Sequence, residues 1–155
     1  MIVKSLVRPS PNLLNKVYRR EVETHEKCRD VILEIERLRL ETLIPFAGLV
    51  EVASVLNRLL NEDFARRIVS SLSVTYKIVR EDEFGDYALE VAFREAPSGF
   101  DTYFIALARK EGGTLITDDE PMAIHAERLK IDSISVRSLT KEEILKRLRK
   151  LSEQP

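Results

Sequence analysis

Residues 114–121 read Thr114-Leu115-Ile116-Thr117-Asp118-Asp119-Glu120-Pro121. A compact apolar run flanked by threonines predicts a short buried strand, and it passes directly into an acidic pair. Pro121 suits the first turn of a helix, where its missing N–H costs nothing. A strand that turns straight into a helix is one half of a βα unit. Downstream, Met122, Ala123, Ala126 and Leu129 form an inward helical stripe, and Ile134 and Val136 mark a last strand. Thr140-Lys141-Glu142-Glu143 reads as a capping box that opens a final helix.

Upstream the same alternation continues. Gly112-Gly113 ends a helix that begins at Ser98 or Gly99, with Phe104, Ile105, Leu107 and Ala108 as its core face and Asp101 near its start. The turn Ala96-Pro97-Ser98-Gly99 separates it from a helix over about 82–94. Val74 to Val79 is a strand candidate, and Asp63 to Leu72 extends the helical pattern of the segment before it. In that segment Leu49, Val52, Ala53, Leu56 and Leu60 line one stripe, and Glu51 is placed in its first turn. Thr42-Leu43-Ile44-Pro45 predicts a buried strand that stops at its proline. Thr24 is a plausible cap for a helix whose apolar positions are Cys28, Val31, Ile32, Ile35 and Leu38. Pro9 and Pro11 break the chain after Ile2 and Val3, a short β-branched run, and a short helix is expected around Leu13 to Tyr18. Strands alternating with helices predict an α/β three-layer sandwich, with a central parallel sheet of about four to five strands flanked by helices.

Composition bounds what this fold can do. The chain has 155 residues, 44% hydrophobic and 33% charged, which suits one domain over 1–155 with a packed core. A formal net charge of −1 supplies no global field for nucleic acid, so polyanion binding must use local patches. A lone cysteine, Cys28, makes no intramolecular disulfide and fits a reducing cytoplasm. No apolar stretch approaches the roughly 20 residues of a membrane span. Plentiful Glu, Lys and Arg beside a single glutamine lean toward a heat-adapted source.

In parallel α/β sheets ligands bind beyond the carboxyl ends of the strands, where helices begin. Glu51 follows the strand ending at Pro45, Asp119 follows Thr117, and Asp101 stands at a helix start. All three can face the same edge. Acids in first turns also complement the helix dipole, so each one alone is unremarkable. Together, hard carboxylate oxygens suit Mg²⁺ or Mn²⁺, which can polarise a phosphodiester and activate water.

Three segments carry a family resemblance. They are Ile44-Pro45-Phe46-Ala47-Gly48-Leu49-Val50-Glu51-Val52-Ala53-Ser54-Val55-Leu56, Phe100-Asp101-Thr102-Tyr103-Phe104-Ile105-Ala106-Leu107-Ala108, and Thr114-Leu115-Ile116-Thr117-Asp118-Asp119. In order and spacing they resemble the PIN domain family of metal-dependent ribonucleases, including its VapC-like toxins. The resemblance implies Glu51, Asp101 and Asp119 as catalytic and metal-binding carboxylates for Mg²⁺ or Mn²⁺, with Asp118 able to substitute. It implies Lys4, Ser5 and Thr117 on the substrate side and RNA as substrate. An antitoxin protein and a second copy of the chain are the partners it suggests.

One position departs from the pattern. Family members usually end the first strand in an Asp followed by Ser or Thr, and here the run is Ile2-Val3-Lys4-Ser5. Asp30, inside an amphipathic helix, is a poor replacement. An ammonium ~6 Å from a divalent ion would be repelled by about 5 kcal/mol at an effective dielectric of about 20. Two functions are therefore weighed: an endoribonuclease with a weakened metal site, and a catalytically degenerate domain that binds RNA or protein. A phosphoacceptor receiver domain is excluded, because its acidic pair follows the first strand. His25 and His125 are read as surface residues and Cys28 as core. Tyr18-Arg19-Arg20 and Lys146-Arg147-Leu148-Arg149-Lys150 can contact phosphates or simply be solvated.

Overall fold

The computed structural model describes residues 2–4 and 15–153, with side chains from residue 22 onward. Ser5, the Pro9 and Pro11 breaks, and the start of the helix expected from Leu13 lie outside the described residues, as does the side chain of Lys4.

Five parallel strands form one sheet in the order β3-β2-β1-β4-β5. They are β1 (Ile2–Lys4), β2 (Leu43–Pro45), β3 (Lys77–Val79), β4 (Leu115–Thr117) and β5 (Ser133–Ser135). Each is three residues long, and in β2 and β4 every residue is buried, so burial on both faces replaces a long alternating pattern as their signature. The alternation survives within β4: Leu115 and Ile116 belong to different hydrophobic clusters.

Those clusters define the outer layers. On one face α4 (Gly85–Glu95), α5 (Gly99–Glu111) and α6 (Glu120–Arg128) bury Val91, Phe104, Ile105, Leu107, Met122 and Ala126 against Leu43, Val79 and Leu115. On the other, α1 (Asn15–Leu38) and α7 (Lys141–Ser152) bring Val31, Ile35, Ile144 and Leu148 onto Ile116 and Ile134. Two further helices, α2 (Phe46–Leu59) and α3 (Glu62–Thr75), pack on each other beside β2 and β3, and α2 also meets α5.

Several elements differ from the sequence reading. Thr24 does not cap a helix; it is buried inside α1, which runs unbroken from Asn15. Val31 and Ile35, one and two turns past Cys28 on the same stripe, are buried as well, so tertiary packing overrides a weak capping preference. Residues 62–75 are a separate helix, because the Asn61 side chain accepts a hydrogen bond from Phe64 N at 2.9 Å and starts α3 afresh. Val74 belongs to α3 and is exposed, and β3 starts only at Lys77. The segment expected to be one helix over about 82–94 is a 3-10 turn at Glu81–Glu83 followed by α4.

The ends of the helices otherwise follow local chemistry. Gly112 closes α5 with φ of 60°, a left-handed conformation that glycine adopts without a Cβ penalty. Thr140 and Glu143 form the reciprocal capping box of α7. Among the described residues, no helix is long and apolar enough to cross a membrane.

Candidate functional site

Successive strands are added outward on one side of β1 up to β3 and then on the other side from β4, and α/β sheets present their ligand crevice beyond the carboxyl ends at such a switch point. Lys4, the last residue of β1, pairs in register with Thr117, the last residue of β4. The Lys4 backbone therefore borders the turn that carries Asp118 and Asp119.

That turn is held from three sides. Thr117 is fully buried, and its Oγ1 accepts a hydrogen bond from Asp119 N at 3.0 Å. Asp119 Oδ1 accepts from Met122 N at 3.0 Å, which makes the half-buried Asp119 the N-cap of α6. Arg137, two residues past β5, donates from Nε to the backbone oxygen of Asp118 at 2.9 Å, and its Nη2 lies 3.7 Å from Asp118 Oδ2. Asp118 is thus engaged with a guanidinium, which competes with any role as a metal ligand. Sequence reasoning missed Arg137. Its signal lies in the register: Thr117 pairs with Ser135, so the chain leaving β5 runs alongside the chain leaving β4.

Asp101 lies in the first turn of α5 and is 9% exposed. Since α5 ends at Gly112 just before β4, it starts at the carboxyl edge of the sheet. Ser98, the N-cap residue, does not cap the helix with its hydroxyl but donates it to Asp101 Oδ2. A buried carboxylate requires such compensation, because losing water around the charge is costly.

Glu51 is reached differently. Pro45 ends β2 and serves as the N-cap of α2, so Glu51 falls in the second turn and not in the first as its sequence context suggested. At 1.5 Å per residue it sits about 7 Å along the helix from its start. The N-terminal dipole therefore gives little reason for an acid there, unlike at Asp101 and Asp119.

The helices that carry Glu51 and Asp101, α2 and α5, are in contact. Residues three apart share a helical face, which pairs Gly48 with Glu51 and Asp101 with Phe104. Gly48 meets Phe104 so closely that a Cβ built on it would lie 2.7 Å from Phe104 Cζ. Glu51 and Asp101 thus each lie one turn from that contact, Glu51 further along α2 and Asp101 nearer the start of α5.

Among the described residues, no three His, Cys, Asp or Glu side chains converge tightly enough to hold a metal ion as they stand. The donor chemistry nevertheless suits Mg²⁺ or Mn²⁺, since all three side chains offer carboxylate oxygens. The sequence model of the PIN domain matches residues 12–127, well over half of the chain. The chain belongs to the PIN domain family. PIN domains have a nuclease-like three-layer α/β fold and are generally ribonucleases that depend on divalent metals. The matched span contains Glu51, Asp101 and Asp119, while Lys4 and Ser5 precede it. No curated protein matches the chain significantly.

Other residues singled out in the sequence have structural partners. His125 is not a bare surface residue: its Nδ1 lies 2.9 Å from Glu95 Oε2 and ties α6 to the end of α4. This hydrogen bond from His125, aided by Arg128, holds the Glu95 carboxyl below its usual range. His25 is exposed, and Cys28 packs half-buried against the core beneath α1. In the basic run of α7, Arg147 pairs with Asp132 and donates to the Ser133 carbonyl, and Arg149 pairs with Glu34. Those two arginines are occupied within the fold.

Proposed function

We propose that this PIN domain is a metal-dependent endoribonuclease in which Glu51, Asp101 and Asp119 hold Mg²⁺ or Mn²⁺. The observation that carries this reading is that helices starting at one edge of the sheet supply all three acids within the matched family span. When bound, a divalent ion would polarise a phosphodiester and favour water as a nucleophile.

The chain's own residues orient what surrounds that ion. Thr117 fixes the Asp119 backbone, Ser98 restrains the Asp101 carboxylate, and Arg137 steadies the turn between them and presents positive charge at the crevice. The end of β1 at Lys4 borders the edge from which RNA phosphate would approach, whereas Thr117, level with it, is fully buried and acts on Asp119 and not on substrate. Toxins of toxin–antitoxin pairs belong to this family, and the reading extends to an antitoxin partner and a homodimer in the cytoplasm.

A second reading has a specific observation in its favour. Lys4 ends the central strand level with Thr117 and supplies a cation where the family usually places an acid. With Arg137 nearby, the crevice could hold an RNA phosphate without hydrolysing it. Incubating the purified protein with a single-stranded RNA and Mn²⁺, beside Asp101→Asn, separates the two. The nuclease reading expects cleavage by the wild type and a loss of at least 100-fold in the variant, on the order of what one ligand contributes. Cleavage unaffected by Asp101→Asn refutes it, and RNA binding with no cleavage by either protein selects the binding module.

A further inference from the structure

The first turn of α2 lacks a cap of its own. Its N-cap residue is Pro45, which offers no side-chain acceptor, and no acid lies in that turn. The N–H groups there have no partner within the helix. Glu81, from the 3-10 turn after β3, fills the gap across 34 residues of sequence: its Oε1 accepts a hydrogen bond from Ala47 N at 2.5 Å. Strand register explains the meeting. Pro45 pairs with Val79, so the residues two beyond each, Ala47 and Glu81, emerge side by side at the carboxyl edge. Arg80 adds a second hold, with its guanidinium 5.5 Å from the centroid of the Phe46 ring.

We infer that Glu81 is a positioning residue for Glu51. Ala47 and Glu51 are four apart and lie one above the other on α2. Anchoring Ala47 N sets the direction in which α2 leaves the sheet, and with it the place of the Glu51 carboxylate relative to Asp101 and Asp119. Glu81 acts through the helix, since its oxygen is engaged by the Ala47 amide. The inference rests on the proposed role of Glu51 in the metal site.

The test compares Glu81→Ala, Glu81→Gln and Asp82→Asn with the wild type by Mn²⁺ titration and amide hydrogen exchange. Asp82 is the exposed neighbour of Glu81, so Asp82→Asn measures the effect of removing one local charge. In Glu81→Ala, amides of residues 47–51 are expected to exchange about fivefold faster and the Mn²⁺ dissociation constant to rise about fivefold, as for a lost cap. Glu81→Gln keeps an acceptor oxygen and should recover most of both, while Asp82→Asn should change neither beyond twofold. Unchanged exchange at 47–51 in Glu81→Ala overturns the inference, as does an equal loss of Mn²⁺ affinity in Asp82→Asn. Wild-type protein that takes up no Mn²⁺ refutes the metal-site reading instead, and the exchange comparison then decides whether Glu81 holds the start of the helix that carries Glu51.

Discussion

Gly48 occupies the closest approach between α2 and α5. Phe104, whose ring a new methyl group would strike, is 2% exposed and belongs to the hydrophobic core. Gly48→Ala should therefore destabilise the protein by about 1–3 kcal/mol through overpacking. A thermal melt should show this as a fall of several degrees, and an unchanged melting temperature would mean that the helix pair yields without cost. Glu51, Asp101 and Asp119 could be singled out as candidates because each sits in a recognisable run of neighbours. Glu81 and Arg137 could not, because each works on a residue far away in sequence whose proximity is created only by strand register. Asp118 shows the same limit: two adjacent aspartates look interchangeable on paper, but one caps α6 and the other meets Arg137.

Between elements, the bond joining α1 to α7 is electrostatic as well as apolar. Arg37 foremost and then Arg149 hold the Glu34 carboxyl at about 2, below its ordinary 4.5. Arg149 comes from α7, and Lys141 at the start of α7 pairs in the same way with Asp30 at 2.6 Å. A carboxyl whose pKa is lower in the folded state stabilises the fold fully above its unfolded value and loses that contribution as pH falls through the folded value. The melting temperature should therefore drop between pH 4.5 and pH 2, and Glu34→Gln should flatten that part of the profile. A profile identical to wild type would remove Glu34 from the α1–α7 contact. Helices of this kind were mostly visible beforehand, since the stripe of Val31, Ile35 and their neighbours repeats at helical spacing. Boundaries were less so. Thr24 and Asn61 are both cap-forming residues, and only packing reveals that the first lies inside a helix and the second begins one.

Across the molecule, the proposed RNA site lies at the strand ends and not along α7. This helix begins at the carboxyl edge after β5 and runs away from it, and its Arg147 and Arg149 are already paired. The backbones of Lys4, Arg80 and Arg137 each stand at or just beyond the end of a strand at that edge, where Arg137 meets Asp118 and Arg80 meets Phe46 and Asp82. Were the proposed RNA site to draw all three onto phosphates, the log–log salt slope for single-stranded RNA would be about −2, or roughly a 15-fold loss of affinity between about 50 and 200 mM salt. Filter binding across that range checks it, and a slope several units steeper would bring the α7 run back into the interface. The layered architecture could be anticipated because strands and helices alternate along the whole chain. The order of the strands could not, since three-residue strands carry too little pattern to name their neighbours.

That order also has a consequence for biosynthesis. β1, the earliest of the five strands to leave the ribosome, lies at the centre of the sheet between β2 and β4. One of its edges gains a neighbour when β2 emerges, but the other waits until the segment around Leu115–Thr117 has been translated. The nascent protein must therefore keep a half-finished central strand from pairing elsewhere while most of its length is still being made.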